Sequence, residues 1–437
     1  MREITVIGAG LAGAEAAWQA ASFGFFVKLF EMRPKKMTPA HQTADFAELV
    51  CSNSLRAANV ENAVGLLKEE MRRQNSLIIL CADAARLPAG GALAVDREFF
   101  AHMVTKRLSS LANISIIRDE VQKLPEVGPV VIASGPLTSD ALAKAIAAKT
   151  SAAYLYFHDA VAPIVAADSI DRQIVFKASR YGKGESPEGD YLNCPMNKEE
   201  YEVFLTALLE AERVPLKDFE NEKDFEGCMP IETMARRGKD VIRFGPMKPV
   251  GLVDPKTGHE PYAVVQLRQD NQAASQYNIV GFQTRLTWPA QKRVFALIPG
   301  LANAEFLRLG VMHRNTYIDS PRLLNADLTL KTQPDLLFAG QITGVEGYVE
   351  SAACGLSAGI NAARITAGKK PLVWPTETAL GSLLHYITSF SANFQPSNIT
   401  FGLFPPLTLP IKNKKERNEA LAKRALAALE VFGQSMD

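Results

Sequence analysis

The chain has 437 residues, too many for one simple hydrophobic core, and this length predicts two or three domains. Its hydrophobic content of 47% and charged content of 22% are typical of a folded globular protein. The 48 Lys and Arg residues balance the 47 Asp and Glu residues, so composition excludes a strongly basic nucleic-acid-binding chain. Any phosphate-binding surface therefore has to be a local patch.

The chain carries no sequence signal for a membrane, for secretion or for a metal. No stretch of about 20 residues is apolar and uncharged, so we expect no membrane span. The N-terminus enters an apolar strand pattern without a charged leader, which predicts a cytoplasmic protein. The five cysteines are an odd number without C-x-x-C spacing, which argues against a disulfide framework and against a zinc site.

Residues 3–31 have the order of a dinucleotide-binding unit: an apolar strand, a glycine turn, an Ala-rich helix, a second strand and an acid. The glycines permit a tight turn, close approach to a pyrophosphate and packing of helix on strand. The terminal carboxylate is placed to bind the ribose hydroxyls of an adenosine. The residues predicted to contact the nucleotide are Gly8, Ala9, Gly10, Leu11, Ala12, Gly13 and Glu31.

Two further apolar strands, at 130–133 and 335–339, also end in glycine. Because the carboxyl ends of parallel strands meet at one edge of a sheet, we expect the three glycine turns to be neighbours. This arrangement favours FAD over NAD, since the long flavin nucleotide crosses the sheet and reaches a late segment with its ring. The predicted contacts at these two ends are Ser134, Gly135, Gly340, Gln341, Gly347 and Tyr348.

The composition and hydrophobic pattern of the chain change near residue 151, where aromatic residues, prolines, glycines and alternating strand patterns become frequent. We predict an α/β, Rossmann-like FAD-binding domain of the glutathione-reductase type, formed by 1–150 and 319–437 with a C-terminal helix. An inserted α+β substrate domain at 151–318 interrupts it. Helical spacing is present at 44–50, 96–111, 197–212 and 413–433.

Two cysteines lie at breaks in these patterns: Cys51 precedes Ser-Asn-Ser, and Cys228 stands between a glycine and Met-Pro. Free cysteine is usually a small buried hydrophobe. The glycine and proline around Cys228, however, predict an exposed thiol. A basic cluster follows it, and adjacency to the thiol makes phosphate binding the better interpretation of that cluster. The predicted RNA-binding residues are Arg236, Arg237 and Lys239.

Taken together, these motifs closely resemble the family of folate- and FAD-dependent tRNA uracil-5 methyltransferases. The resemblance extends nearly end to end. The related glucose-inhibited-division flavoproteins, which modify tRNA, share the glycine motifs but lack the cysteine motifs. The segments that carry the resemblance are 7–13, 31–34, 46–55, 88–96, 225–232, 310–316, 340–352 and 412–418.

The resemblance implies a function and roles for the two cysteines. It implies C5 methylation of uridine 54 in the T loop of tRNA, with 5,10-methylenetetrahydrofolate as carbon donor and NADPH or NADH as hydride source. Cys228 is implied as the nucleophile and Cys51 as the general base. FAD is implied as both methylene carrier and reductant, which agrees with the single nucleotide-binding unit.

Other functions stay open on the sequence alone. The same chemistry on ribosomal RNA fits the motifs equally well. A different tRNA modification would not need the cysteine motifs. A small-molecule flavin oxidoreductase is compatible with the neutral net charge, and a colourless purified protein would indicate a binding protein without catalysis. The sequence leaves the oligomeric state undetermined.

Overall fold

A computed structural model describes residues 3–150, 155–160, 162–184, 186–214, 229–310, 312–391 and 394–434, with the backbone alone at 155–160 and 312–314. The strands are β1 (Glu3–Ile7), β2 (Phe26–Phe30), β3 (Ser54–Ala57), β4 (Arg86–Leu87), β5 (Ala92–Val95), β6 (Ile114–Ile117), β7 (Val130–Ile132), β8 (Leu155–Ala160), β9 (Ile164–Ala166), β10 (Phe176–Ala178), β11 (Tyr191–Met196), β12 (Ala263–Gln269), β13 (Gln276–Ile279), β14 (Phe306–Arg308), β15 (Met312–Tyr317), β16 (Thr329–Leu330) and β17 (Gln333–Phe338).

The helices are α1 (Leu11–Ser22), α2 (Ala63–Arg73), α3 (Leu77–Ala84), α4 (Arg97–Ser109), α5 (Asp140–Thr150), α6 (Lys198–Glu210), α7 (Ile231–Arg236), α8 (Val241–Phe244), α9 (Trp288–Phe295), α10 (Ser320–Leu323), α11 (Tyr348–Thr366), α12 (Ala379–Thr388) and α13 (Lys414–Gly433). None of the helices in the described ranges has the length and apolar character needed to cross a membrane.

A six-stranded sheet in the order β16-β17-β7-β1-β2-β6 organises the first part of the molecule. Strand β1 pairs in parallel with β2 and β7, and β17 pairs in parallel with β7. In this register Ile7 lies opposite Ile132, which lies opposite Phe338. The glycine turns after β1, β7 and β17 therefore meet at one edge, and the predicted neighbourhood of the three strand ends is confirmed.

Helices α1 and α11 cross in direct backbone contact because glycine stands where they meet. A Cβ atom on Gly355 would lie 2.1 Å from the carbonyl oxygen of Ala12, and one on Gly359 would lie 2.4 Å from that of Ala16. Backbones approach this closely only without a side chain between them. The contact fixes the first turn of α11 relative to the glycine turn that precedes α1.

A second six-stranded sheet, in the order β10-β11-β12-β13-β9-β14, is antiparallel throughout. It has its own hydrophobic core, in which the ring of Phe282 packs against those of Phe204 of α6 and Phe295 of α9. The connections into and out of this part run side by side as the antiparallel pair β8 and β15. The two cores agree with an inserted domain, while the boundaries 1–150, 151–318 and 319–437 stay a prediction.

The prediction of a helix at 44–50 is wrong. The backbone there is irregular, and Ala47 has a φ of 51°, which an α-helix does not allow. Its amide donates to the carbonyl oxygen of Ala9 at 3.0 Å, and the amide of Phe46 donates to Oγ1 of Thr105 at 2.7 Å. The apolar residues at 44–50 therefore pack against distant elements and do not form one face of a helix.

We predict that Gly355→Ala destabilises the fold, because the new methyl group has to displace the backbone of α1. The expected loss is about 1–3 kcal/mol in the free energy of unfolding, measured by denaturant or thermal unfolding. The matched control is Gly433→Ala at the end of α13, where a Cβ atom meets nothing within 4 Å. Equal stability of the two variants would contradict the close α1–α11 contact.

Candidate active site

A cleft with an empty volume of about 1040 Å³ opens at the carboxyl edge of the parallel sheet. Of the residues predicted to contact a nucleotide, those that line the cleft are Gly8, Gly10, Leu11, Ala12, Glu31, Ser134, Gly135, Gly340, Gln341 and Tyr348. Most of the residues predicted from the sequence thus line the same cleft.

The other three predicted contacts are not among the residues that line the cleft. Ala9 is fully buried, and a Cβ atom on Gly13 would lie 1.7 Å from the carbonyl oxygen of Gly8. Gly13 therefore packs the helix against the turn, as the sequence predicts. Gly347 immediately precedes α11 with a φ of 115°, a left-handed conformation that favours glycine.

The glycine turn before α1 fits a ligand that lies against the backbone. Gly8 has a φ of 97°, and a Cβ atom there would lie 2.5 Å from the carbonyl oxygen of Ala133. A Cβ atom on Gly10, by contrast, would meet no protein atom within 4 Å, and no side chain caps the helix that follows. The first turn of α1 is thus uncapped and borders open space, which is the arrangement that binds pyrophosphate.

Glu31 stands at the end of β2 as a buried carboxylate with defined partners. It accepts hydrogen bonds from the amide of Ala9 at 3.0 Å and from Nε of Arg33 at 3.0 Å. Burial alone would raise the pKa of Glu31, but the hydrogen bonds and charge of Arg33, with the Ala9 amide, lower it overall. The group is therefore ionised at neutral pH and suited to accept hydrogen bonds from ribose hydroxyls.

Helix α11 begins at the cleft, which its residues Tyr348 and Ser351 line, next to the segment that contains Cys51. No side chain caps its N-terminus at Gly347. The hydroxyl oxygen of Tyr348, its first residue, accepts a hydrogen bond from the amide of Cys51 at 2.6 Å. Burial raises the pKa of Tyr348, and a negative charge at Cys51 would raise it further, so the phenol stays neutral. The half-buried Cys51 thus lies beside the cleft, next to Val50 and Tyr348, which both line it.

Three arginines that the sequence analysis did not single out surround the loop at residues 49–53. Arg97 of α4, Arg268 of β12 and Arg308 of β14 all donate hydrogen bonds to it. A charged residue within the apolar run of β12 was the available signal for Arg268. Nothing in the local sequence connects the other two with Cys51, because they come from distant elements.

The predicted nucleophile, Cys228, lies outside the described residues, as does the segment 215–227 before it. The chain resumes at Met229 and enters α7. There the buried carboxylate of Glu232 accepts hydrogen bonds from the hydroxyl of Thr284 and the amide of Arg285, at 2.9 and 2.8 Å. The approach of Cys228 to Cys51 therefore stays a prediction.

The predicted RNA-binding residues lie on one exposed surface at α7 and the turn that follows it. Arg236, Arg237 and Lys239 are all exposed, and Nη2 of Arg236 donates to the carbonyl oxygen of Leu209 at 2.8 Å. Phe244 of α8, which sequence reasoning missed, is 67% exposed and lines a shallow depression with Lys239 and Asp240. Basic side chains beside an exposed aromatic ring are typical of single-stranded nucleic-acid contacts.

The other three cysteines are buried away from solvent. Burial raises the pKa of Cys81 to about 11 and that of Cys354 to about 12. Burial also raises the pKa of Cys194, the cysteine that the sequence left undecided. These thiols stay protonated, so among the described cysteines only Cys51 combines partial exposure with a position at the cleft.

Comparisons with known proteins agree with this geometry. The family model of glucose inhibited division protein A matches residues 3–370. The methylenetetrahydrofolate–tRNA-(uracil-5-)-methyltransferase TrmFO of Pelotomaculum thermopropionicum is 62% identical over 436 residues, which are 100% of this chain and 99% of that protein. The protein of the same name from Moorella thermoacetica is 62% identical over 97% of both chains.

Among solved structures, GidA of Aquifex aeolicus superposes with a TM-score of 0.71 at 16% identity, over 99% of this chain and 74% of that one. At this identity the likeness establishes the fold alone, and it confirms the predicted Rossmann-like α/β class. Family model and relatives together show that the chain belongs to the glucose-inhibited-division protein A family and, within it, to the methylenetetrahydrofolate–tRNA-(uracil-5-)-methyltransferases.

Proposed function

We propose that this protein transfers the one-carbon unit of methylenetetrahydrofolate to C5 of uracil in tRNA, at uridine 54 of the T loop. The observation that carries the proposal is 62% identity, over essentially the whole of both chains, to a protein named for this reaction. We place the reaction in the cytoplasm. The position of the uridine is the finer part of the proposal and rests on the resemblance of the motifs.

The cleft residues are assigned to FAD. The glycine turn and the first amides of α1 would bind the pyrophosphate, and the Glu31 carboxylate would accept hydrogen bonds from the ribose. The N-terminus of α11 would stabilise negative charge on the bound cofactor. Bound FAD supplies one-carbon carriage and hydride transfer to the reaction, with NADPH or NADH as the source of the hydride.

The two cysteines supply the nucleophile and the base that methylation of uracil requires. C5 of uracil is a poor nucleophile until a thiolate adds to C6, and we assign this addition to Cys228. Once C5 has gained its new carbon, its proton has to leave before the Cys228 thiolate is expelled from C6. We assign removal of that proton to Cys51, beside the cleft.

The exposed basic surface at α7 and α8 is assigned to tRNA phosphates, with Phe244 as a stacking contact for a base. A base held within the folded T loop cannot reach the cleft. The target uridine is therefore expected to turn outward from its stack before it reacts.

We expect Glu31→Gln to weaken FAD binding about tenfold or more, because a charge-assisted hydrogen bond to the ribose is lost while the shape is kept. The flavin absorbance per chain of purified protein, and a titration of stripped protein with FAD, measure this. Glu3→Gln on β1 is the control, because that carboxylate pairs with Lys28 on the surface. Unchanged affinity in Glu31→Gln would remove this residue from the site.

We expect Cys228→Ala to abolish methyl transfer and to leave flavin bound. The assay combines isotopically labelled methylenetetrahydrofolate, NADPH and unmodified tRNA, with label at uracil C5 as the readout. Cys81→Ala, which removes a buried thiol, should retain activity. Loss of flavin from Cys228→Ala would show a structural role instead, and full activity would disprove covalent attack by this residue.

The double variant Arg237→Gln/Lys239→Gln should bind tRNA more weakly and with a salt dependence that is less steep by about 2 on a log–log plot, one for each lost phosphate contact. The control with the same change of charge is Lys106→Gln/Lys144→Gln on exposed helix faces. Equal binding and equal slopes for the two double variants would exclude the α7–α8 surface as the tRNA contact.

The same labelling assay distinguishes tRNA methylation from reactions on other substrates. Transfer to ribosomal RNA without transfer to tRNA would support the same chemistry on a different target. Oxidation of NADPH with a small acceptor, without label in either RNA, would indicate a small-molecule flavin oxidoreductase.

A further inference from the structure

We infer that Arg97, Arg268 and Arg308 form a cationic cage that positions the Cys51 loop and holds the Cys51 thiol in its deprotonated form. The loop is residues 49–53, and the cage is these three arginines. Two of them belong to the antiparallel sheet and one to α4, so Cys51 is ready to act as a base only when the two sheets are docked. This inference rests on the proposed role of Cys51 and assigns positioning residues to it.

The cage holds the loop through side-chain donors to its backbone and polar side chains. Arg268 donates from Nε to Oδ1 of Asn53 at 2.8 Å and from Nη2 to Oγ of Ser52 at 2.6 Å. Arg308 donates to the carbonyl oxygen of Val50 at 2.6 Å. The rigid planar fork of arginine makes such contacts specific in direction.

Arg97 completes the cage from the side of the parallel sheet. Its Nη1 donates to the carbonyl oxygens of Leu49 and, at 3.4 Å, of Cys51. Its Nη2 pairs with Asp270 at 2.9 Å, directly beyond β12, and so joins α4 to the antiparallel sheet. Arg97, Arg268 and Asp270 are 9%, 7% and 3% exposed, so water screens this group of charges poorly.

The charges around the loop do not cancel. Three guanidinium groups face it, and of the carboxylates in the described residues Asp270 is the one paired with a member of the cage. The negative charge of Glu48, on the same stretch, also acts on Arg308, and Glu48 shares Arg33 with Glu31. With Arg33 included, four guanidinium groups therefore stand against three carboxylates. Asp96 caps α4 through the amide of Phe99. A positive charge therefore remains for an anion on the loop.

The aromatic hydroxyls nearby do not supply that anion. Burial raises the pKa of Tyr348, which faces the loop from α11, and that of Tyr191, which lies near Arg268. Burial lowers the pKa of Arg268 and Arg308, and a negative charge at Cys51 opposes this effect at both. The Cys51 thiolate is thus the group that balances the cage.

The cage gives the proposed base the form that it needs. A cysteine that removes a proton has to be deprotonated beforehand, and cationic neighbours are the usual means of favouring the thiolate. None of the three arginines is among the residues that line the cleft, so the cage places this control in positioning residues. Because Arg268 and Arg308 lie on β12 and β14, displacement of the antiparallel sheet would remove two of the three cations.

The test is the pH midpoint of Cys51 ionisation in the flavin-loaded protein. It is read from the ultraviolet absorbance of the thiolate, as the difference between each variant and the same variant carrying Cys51→Ser. We expect Arg268→Met to raise the midpoint by about one pH unit or more. Asp270→Asn, which removes the carboxylate and leaves the cations, should lower it. Arg268→Lys, which keeps the charge, should stay close to the unmodified protein.

Arg322→Met is the control, because that arginine pairs with Asp319 on the exposed surface. Midpoints that do not move in Arg268→Met and Asp270→Asn, with flavin content and unfolding temperature preserved, would overturn the cage as an electrostatic device. If both variants lose their fold, Arg308→Met gives the same test from the half-buried member. The readout needs neither tRNA nor folate. Failure of the cage and failure of the proposed methylation can therefore be told apart.

Discussion

Close approach of backbone to backbone at the carboxyl edge of the parallel sheet is the constraint on which the rest of the structure depends. Strands β7, β1 and β17 are neighbours, so their glycine turns line one cleft. Helix α11 can begin beside that cleft because Gly355 and Gly359 let it lie directly on α1. Larger residues at these crossings would move the first turn of α11 away from the glycine turn before α1.

The Cys51 loop is where the two sheets become one functional unit. It is carried by the part of the chain that contains the nucleotide-binding turn, yet β12 and β14 of the antiparallel sheet hold it in place. Buried arginines require partners, and here the partners are loop carbonyls, polar side chains and one carboxylate. Docking of the sheets and readiness of the thiol are thus linked through the same contacts.

The sequence was sufficient where the signal is local. The glycine turn at residues 8–13 predicted its strand, helix and cleft, and the helix expected at 197–212 is observed at Lys198–Glu210 because Asn197 and Glu200 form a capping box. It was insufficient where contacts are distant. The segment 44–50 has helical spacing, but its amides bond to Ala9 and Thr105. Likewise, Arg308 is far in sequence from the loop that it contacts.

We propose that one flavin-binding cleft and two cysteines together move a folate carbon onto tRNA. The most direct measurement is to incubate the flavin-loaded protein with carbon-labelled methylenetetrahydrofolate, NADPH and unmodified tRNA, and then to map the label by nuclease digestion and mass spectrometry. The account predicts label in the methyl group of 5-methyluridine at T-loop position 54. Absence of label from tRNA, or methylation that proceeds without folate, would contradict it.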